Sequence, residues 1–134
     1  MSHLSTVTTK IKDIQALREA AKALGLELKT GGRVRGYGGV LYNETDYMIA
    51  LPGPFDLGFR KQADGTYAME SDGGLMEGWY DSEAGMAKIG RNAGLLKQNY
   101  ALAILQADAR RKGRQVKTEK MPNGSLRVVM SGGR

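Results

Sequence analysis

The sequence predicts one α+β domain, with an antiparallel β-sheet (a meander plus a terminal hairpin) and two helices packed on one face. Two segments carry apolar residues at helical spacing, and several short segments alternate or are rich in β-branched residues. Helices and strands fall in separate blocks along the chain, which favours α+β over a parallel sheet. A chain of 134 residues can form a single core, so we expect residues 1–134 to be one domain.

The first thirty residues predict a strand, a helix and a second short strand. Residues 5–11 are rich in Ser, Thr and Val and predict the first strand. Asp13 occupies the N-cap position of a helix whose apolar residues recur every three or four positions as far as Leu24. Gly25 then provides a helix stop, and residues 26–30 alternate as a strand does.

The middle of the chain predicts a meander of short strands. These predicted strands are Val34 to Val40, Tyr47 to Leu51, Leu57 to Arg60 and Thr66 to Met69. The segment Ala63-Asp64-Gly65 separates the last two, because Asp and Gly favour tight turns.

A second helical region is predicted after Ser82, which is a candidate N-cap. Apolar or small residues recur there at three- and four-residue spacing as far as Ala107. Because glycine disfavours helix, we expect a break near Gly90 to Gly94 and a firm helix from Leu95 to Lys112.

The carboxyl-terminal segment predicts a hairpin. Residues 115–120 and 126–130 form its strands, and Pro122-Asn123-Gly124 forms its turn. The Asn-Gly pair is a strong signal for such a turn.

The composition excludes several classes of site. The chain has no Cys and one His, so it has no disulfide, thiolate metal site or cysteine nucleophile. No apolar run reaches the roughly 20 residues of a transmembrane helix, and the amino terminus has no signal-peptide core. We therefore expect a cytoplasmic protein without a cofactor or a metal.

Five segments of this sequence together resemble a known family. They are Met1-Ser2-His3-Leu4-Ser5, Ile11-Lys12-Asp13 with Leu17 and Leu24-Gly25, Arg35-Gly36-Tyr37-Gly38-Gly39, Asp56-Leu57-Gly58-Phe59 and Asn123-Gly124-Ser125-Leu126. The family is called hypothetical chloroplast reading frame thirty-five and occurs in cyanobacteria, plastids and some phages. The resemblance implies a fold but no reaction. Its genes lie near those of an AAA-type ATPase, which implies a protein partner.

The resemblance also singles out an amino-terminal motif formed by Ser2, His3 and Ser5. His3 is the only imidazole in the chain. A catalytic or metal-binding histidine needs a positioned partner, and no Cys or nearby carboxylate in the sequence provides one. A structural role for His3 is the favoured interpretation.

A glycine-rich loop is a candidate for binding an anion or RNA. Its residues are Arg33, Arg35, Gly36, Tyr37 and Gly38. Backbone amides and two arginines can surround a phosphate, and Tyr37 can stack on a base. The alternative is a tight or bulged strand pair that needs glycine for its left-handed backbone. The loop is not a P-loop, because no Gly-Lys-Ser/Thr follows it.

The carboxyl-terminal end carries the charge of the whole chain. Residues 107–134 contain eight basic and two acidic side chains, so the net charge of +6 resides there. The candidate polyanion-binding residues are Arg110, Arg111, Lys112, Arg114, Lys117, Lys120 and Arg127. Such a basic end predicts a polyanion or an acidic protein as partner. Helix-dipole stabilisation and a solvated, solubilising surface are the alternatives.

These observations favour a small non-enzymatic accessory module that docks a larger protein partner. That hypothesis predicts an exposed apolar patch including Trp79 or Phe55. The alternative is a nucleic-acid-binding protein that uses the basic end. An enzyme ranks third, because the acidic pairs Glu44 with Asp46 and Asp81 with Glu83 show no sign of a shared dry pocket. Tyr37, Tyr42 and Tyr47 are candidates for stacking on bases.

Overall fold

The computed structural model describes residues 4–122 and 126–131 and consists of nine strands and four α-helices in that part of the chain. The strands are β1 (Leu4–Ile11), β2 (Leu28–Thr30), β3 (Arg33–Arg35), β4 (Leu41–Glu44), β5 (Tyr47–Ala50), β6 (Asp56–Lys61), β7 (Tyr67–Asp72), β8 (Gln115–Lys120) and β9 (Leu126–Ser131). The helices are α1 (Ile14–Ala23), α2 (Gly73–Glu77), α3 (Glu83–Ile89) and α4 (Gly94–Arg111).

The main sheet has five antiparallel strands in the order β1-β7-β6-β5-β2. Strands β3 and β4 form a separate antiparallel pair, and so do β8 and β9. The predicted α+β class is therefore confirmed, and the terminal hairpin is a sheet of its own.

Helix α1 begins and ends where the sequence predicts. The Asp13 carboxylate accepts a hydrogen bond from the amide of Ala16 at 3.1 Å and so caps the first turn. Gly25 follows the helix with a φ of +74°, a conformation that glycine adopts without strain.

The predicted break in the second helical region is also confirmed. Helix α3 ends at Ile89, and Gly90, Asn92 and Ala93 all have positive φ before α4 begins. Ser82 precedes α3, but its hydroxyl donates to the carbonyl of Trp79. Its expected capping bond is therefore replaced by a bond back to the preceding turn.

Both long helices contribute to one core on the same face of the main sheet. Leu17 of α1 and Leu96 of α4 pack in a cluster with Leu57, Phe59 and Met69 of the central strands, and all five are at most 1% exposed. Burying such side chains is the main favourable term in folding.

One predicted strand is wrong. The segment Val34 to Val40 is not a single strand, because the chain reverses in a 3-10 turn at Tyr37–Gly39. Gly38 and Gly39 have φ of +72° and +81°, which other residues rarely adopt. The reversal produces the β3–β4 hairpin, which packs on the second face of the main sheet, where Val34 lies over Gly58 of β6.

Helix α2 has no counterpart in the sequence prediction. The Asp72 carboxylate accepts from the amide of Gly74 at 2.8 Å, and Gly78 ends the helix with a left-handed backbone. The predicted terminal hairpin is present, with Gln115 opposite Ser131 and Lys120 opposite Leu126. Its Asn123-Gly124 turn lies outside the described residues.

Candidate functional site

An ion pair between the exposed Arg35 and a buried carboxylate fastens the β3–β4 hairpin to the main sheet. Asp56 of β6 is 1% exposed and accepts hydrogen bonds from Arg35 Nε and Nη2, both at 2.9 Å. The amides of Arg35 and Leu51 also donate to this carboxylate, at 3.0 and 3.2 Å. The hydrogen bonds to Asp56 raise the pKa of the Arg35 guanidinium above its usual value. Every oxygen of the buried carboxylate thus has a partner.

A second buried carboxylate holds the other end of the hairpin. Asp72 of β7 is fully buried and accepts from the Tyr42 hydroxyl at 2.6 Å and from the Tyr37 amide at 3.3 Å. Gly36 passes so close that a Cβ there would lie 2.6 Å from Asp72 Oδ2. A larger residue at position 36 would therefore collide with the pair.

The outer side of this hairpin forms an apolar surface with its neighbouring loops. We call it the Trp79 patch, and it consists of Tyr37, Val40, Leu41, Pro54 and Trp79, together with Tyr80, which follows Trp79 in the chain. The Tyr37 and Trp79 rings meet edge to face with centroids 5.5 Å apart. Val40, Leu41 and Pro54 line a cleft of about 310 Å³.

The patch exposes large apolar side chains. Tyr80 is 88% exposed, Leu41 50% and Tyr37 46%. The docking hypothesis predicts a surface patch that includes Trp79 or Phe55. Trp79 is half-buried at this surface, whereas Phe55 is 1% exposed and belongs to the core, so of the two only Trp79 can contribute to the patch.

Both acidic and basic residues lie near the Trp79 patch. Residues 77–83 contain Glu77, Asp81 and Glu83 and no Lys or Arg, whereas Arg35 lines the cleft of the patch. The Trp79 indole donates to Glu77 Oε2 at 2.8 Å, which fixes the ring beside a carboxylate. The acidic segment at Trp79 complements positive charge on a partner, and the cleft suits apolar side chains.

The arginines of the glycine-rich loop are exposed, and their guanidinium groups bind partners within the protein. The Arg33 guanidinium donates to the carbonyls of Tyr42 at 2.8 Å and Leu41 at 3.0 Å, while Arg35 binds Asp56. The β3–β4 pair has a register shift between Arg33 and Arg35, and Gly38 adopts positive φ. These contacts favour the bulged strand pair, and the anion or RNA role stays a prediction.

Three of the predicted basic residues meet in one groove. We call it the C-terminal groove; it lies between the end of α4 and β8, has a volume of about 420 Å³, and is lined by Gln106, Ala109, Arg110, Arg114, Gln115, Val116 and Lys117. Arg110 belongs to α4, Lys117 belongs to β8, and Arg114 lies in the segment between them. The groove therefore forms because β8 lies beside the end of the helix.

The other basic candidates lie elsewhere. Lys112 Nζ and Arg111 Nη2 bind Asp108, at 3.1 and 3.4 Å, and lower the pKa of that carboxyl. Arg127 is exposed on β9 opposite Glu119. Lys120 belongs to β8, and its side chain is not among the described ones.

Most of the amino-terminal motif lies outside the described residues, and the predicted stacking tyrosines contact other groups of the protein. Ser2 and His3 lie outside the described residues, and the Ser5 backbone pairs with β7. The Tyr47 ring packs edge to face on Tyr67, with centroids 5.6 Å apart. Within residues 4–122 and 126–131, no three His, Asp or Glu side chains form a group able to hold a metal ion.

The acidic pairs of the sequence do not share a pocket. Glu44 is exposed, and Asp46 Oδ2 accepts from the amide of Lys61. Asp56 and Asp72 are the carboxylates that anchor the β3–β4 hairpin. Neither was identified from the sequence as a candidate functional residue. Asp56 interrupts the apolar run between Phe55 and Leu57, and this interruption was the available signal.

This small α+β protein belongs to the family described as a protein of unknown function, DUF1257, whose model matches residues 20–129. It is also 30% identical over 135 residues to a protein of Cyanophora paradoxa named uncharacterized protein ycf35. That match covers 97% of this chain and 96% of the relative, which confirms the resemblance found in the sequence. No solved structure matches the chain.

None of the described helices combines the length and the apolar character that crossing a membrane requires.

Proposed function

We propose that this protein is a non-enzymatic accessory module that docks a larger protein partner through the Trp79 patch. The supporting observation is the group of exposed apolar side chains around a half-buried tryptophan. Contiguous apolar patches with aromatic residues are typical of protein interaction sites. Trp and Tyr also dominate binding energy where they occupy the centre of an interface.

The anchoring of the β3–β4 hairpin supports this proposal. Arg35 and Tyr42 join the hairpin to buried carboxylates, so Tyr37, Val40 and Leu41 project from a backbone that is already ordered. A preorganised surface loses little conformational entropy when it binds, and more of its contact energy contributes to affinity.

The acidic residues near Trp79 indicate which kind of partner surface would fit the patch. Glu77, Asp81 and Glu83 favour a partner surface that combines apolar side chains with Lys or Arg. The AAA-type ATPase implied by the family resemblance is the first partner to test.

The test compares binding of matched variants to that ATPase. Tyr80→Ala combined with Leu41→Ala removes two exposed side chains of the patch, and Leu95→Ala removes an exposed apolar side chain of α4. We expect the double variant to bind at least about tenfold more weakly and Leu95→Ala to bind like the unchanged protein. Biolayer interferometry gives the dissociation constants, and equal binding by all three proteins contradicts the proposal.

A second candidate function is nucleic-acid binding through the C-terminal groove. The convergence of Arg110, Arg114 and Lys117 on one groove supports it. The lining contains no aromatic side chain, so binding to phosphates is expected rather than stacking on bases. Binding of this kind is insensitive to sequence and steeply weakened by salt.

The test of this candidate uses two variants of equal net charge. The groove variant removes the three positive charges that line the groove and carries Arg110→Gln, Arg114→Gln and Lys117→Gln. The control variant removes three exposed lysines elsewhere and carries Lys22→Gln, Lys29→Gln and Lys61→Gln. Fluorescence anisotropy with labelled single- and double-stranded oligonucleotides at two salt concentrations gives the affinities. We expect only the groove variant to lose binding, and its log-log salt slope on duplex DNA to become shallower by about 0.9 for each phosphate that it no longer binds. The same loss in both variants would contradict a groove-specific role.

A further inference from the structure

The cations of the C-terminal groove have no anionic partner within the described part of the chain. Arg110 and Lys117 are exposed and Arg114 is half-buried, so solvent reaches all three side chains. Within residues 4–122 and 126–131, no ion pair involves any of them. None of the residues that line the groove is acidic. The groove therefore gathers three positive charges without a neutralising carboxylate in its lining.

The other described basic candidates have carboxylates of their own. Arg111 Nη2 and Lys112 Nζ both bind Asp108, at 3.4 and 3.1 Å. Arg127 lies opposite Glu119 in the β8–β9 register, where cross-strand residues of opposite charge attract each other. Among the basic candidates whose side chains are described, the uncompensated charge is thus confined to the groove.

The end of α4 fixes the backbone of Arg114 beside the last helical turn. Gly113 has a φ of +65°, and its amide donates to the carbonyl of Arg110 at 3.3 Å. The amide of Arg114 donates to the carbonyl of Ala109 at 2.7 Å, and these two bonds together form a Schellman motif. Arg114 is therefore held next to the turn that carries Arg110 before any ligand binds.

The size and the polar groups of the groove suit a phosphate. Its volume of about 420 Å³ falls within the range of about 300 to 1,000 Å³ that is usual for ligand pockets. Gln106 and Gln115 add amide donors to the lining, and Ala109 and Val116 add apolar surface. Guanidinium groups bind phosphate oxygens through paired hydrogen bonds. The groove can thus bind one phosphate together with part of the molecule attached to it.

Charge density distinguishes a terminal phosphate from a phosphate inside a nucleic-acid strand. A phosphate monoester carries a charge of about −1.5 to −2 at neutral pH and has three strong acceptor oxygens. An internal diester carries a single negative charge, and such charges are spread along the strand. Proteins that bind a strand therefore use cations that follow its backbone. Three cations gathered in one groove instead favour a single group of high charge.

We propose that the C-terminal groove binds a phosphate monoester, carried by the end of a nucleic-acid strand or by a free nucleotide. Arg110, Arg114 and Lys117 bind the phosphate. The inference rests on the second candidate function, because it uses the same groove and names the kind of phosphate that the groove prefers. It does not depend on docking through the Trp79 patch.

The first test compares two labelled single-stranded oligonucleotides of equal total charge. One carries a 5′-phosphate. The other ends in a 5′-hydroxyl and is two nucleotides longer, so that its additional diesters match the charge of the monoester in mildly alkaline buffer. We expect the phosphorylated strand to bind about fivefold more tightly by fluorescence anisotropy at the same salt concentration, because its dianion contacts all three cations.

A competition experiment distinguishes the two sources of the monoester. Adenosine 5′-monophosphate is added to the complex with the phosphorylated strand, and adenosine, which lacks the phosphate, is the control. Displacement by the monophosphate alone shows that a free nucleotide suffices. A preference for the phosphorylated strand without displacement assigns the site to strand ends.

Two single variants, each lacking one positive charge, test the role of the groove. Arg114→Gln removes a cation that lines the groove, and Arg111→Gln removes a neighbouring cation that binds Asp108. We expect Arg114→Gln to lose most of the preference for the phosphorylated strand and Arg111→Gln to retain it. An equal loss in both variants would show that overall charge, and not the groove, is responsible.

The outcomes separate this inference from the function on which it rests. If the two strands of equal charge bind equally well, the proposal is overturned, although nucleic-acid binding stands. If neither strand binds but calorimetry detects adenosine 5′-monophosphate, and Arg114→Gln abolishes that binding, the groove binds a monoester and the nucleic-acid candidate is wrong. If neither strand nor the monophosphate binds, both are wrong.

Discussion

The two small hairpins of this protein have the same topology and are held in different ways. The β3–β4 hairpin lies across the main sheet, with Val34 fully buried and Arg35 and Tyr42 bound to the carboxylates of Asp56 and Asp72. The β8–β9 hairpin contacts the end of α4, and its described side chains are exposed or half-buried.

Because they are held differently, the two hairpins present different kinds of surface. A hairpin anchored by buried groups presents a preformed apolar face, which suits docking to another protein. A hairpin beside a basic helix end presents long, solvated side chains, which suit electrostatic attraction. An isolated two-stranded hairpin is marginally stable in water, so the packing against α4 is what supports β8 and β9.

The largest expected difference in stability between the two hairpins concerns the Asp56 carboxylate. Asp56→Asn keeps the shape of the side chain but places amide hydrogens against the donors of Arg35 and Leu51. We expect the free energy of unfolding to fall by about 3 kcal/mol, near the lower end for a broken buried pair, because the Arg35 side chain is 45% exposed and can be rehydrated. Urea denaturation measures this loss.

The matching change in the other hairpin is Glu119→Gln. Glu119 is exposed and lies opposite Arg127, so its removal should change the free energy of unfolding by less than about 0.5 kcal/mol. Equal losses at Asp56 and Glu119 would show that the two hairpins do not differ in anchoring.

Gly36→Ala tests how closely the first hairpin fits the sheet. Gly36 has an extended backbone, so alanine causes no backbone strain there, but its Cβ would meet Asp72 Oδ2 at 2.6 Å and Tyr42 Cε2 at 2.7 Å. We expect a loss of about 2 kcal/mol by urea denaturation. The control is Gly94→Ala, where the Cβ meets nothing within 4 Å and helix propensity predicts a small gain. A neutral Gly36→Ala would mean that the hairpin can shift away from the sheet.

Tyr42→Phe removes a single hydrogen bond from the anchored hairpin. The Tyr42 hydroxyl donates to Asp72 at 2.6 Å, so its removal leaves a fully buried carboxylate with one fewer donor. We expect thermal or urea unfolding to show a loss of about 1 kcal/mol. Tyr80→Phe is the control, because Tyr80 is 88% exposed and should change little. No difference between the two variants would argue against Asp72 as an anchor.

The elements that the sequence predicted are those determined by nearby residues. The Asp13 cap, the stop at Gly25 and the break before α4 depend on interactions within a few positions, and pattern reasoning found all three. The predicted strand from Val34 to Val40 ran through the reversal at Tyr37–Gly39, but the interpretation of the glycine-rich loop as a tight or bulged strand pair anticipated the positive φ of Gly38 and Gly39.

The candidate sites depended on contacts between distant parts of the chain. Composition located the basic end, but only the fold brings Arg110, Arg114 and Lys117 to one groove. Arg35 is 21 positions from Asp56, and no local pattern indicates that pairing. The sequence left open whether Trp79 or Phe55 lies at the surface, and the fold places Phe55 in the core.

The smallest expected effect concerns the helix that supports the second hairpin. Lys112 and Arg111 lower the pKa of Asp108 below its ordinary value of 3.8. A carboxyl whose pKa is lowered by folding stabilises the protein above that ordinary value, and the contribution is lost as the pH falls through the lowered pKa. Asp108→Asn should therefore lower the melting temperature slightly at neutral pH and not at strongly acidic pH.

Thermal melting of both proteins across this pH range checks the sign. A difference that persists in acid would show that Asp108 acts through packing and not through its charge. The same variant also frees Arg111 and Lys112 near the end of α4. If the basic end binds polyanions, Asp108→Asn should bind them more tightly than the unchanged protein, since it removes a negative charge that competes for these cations.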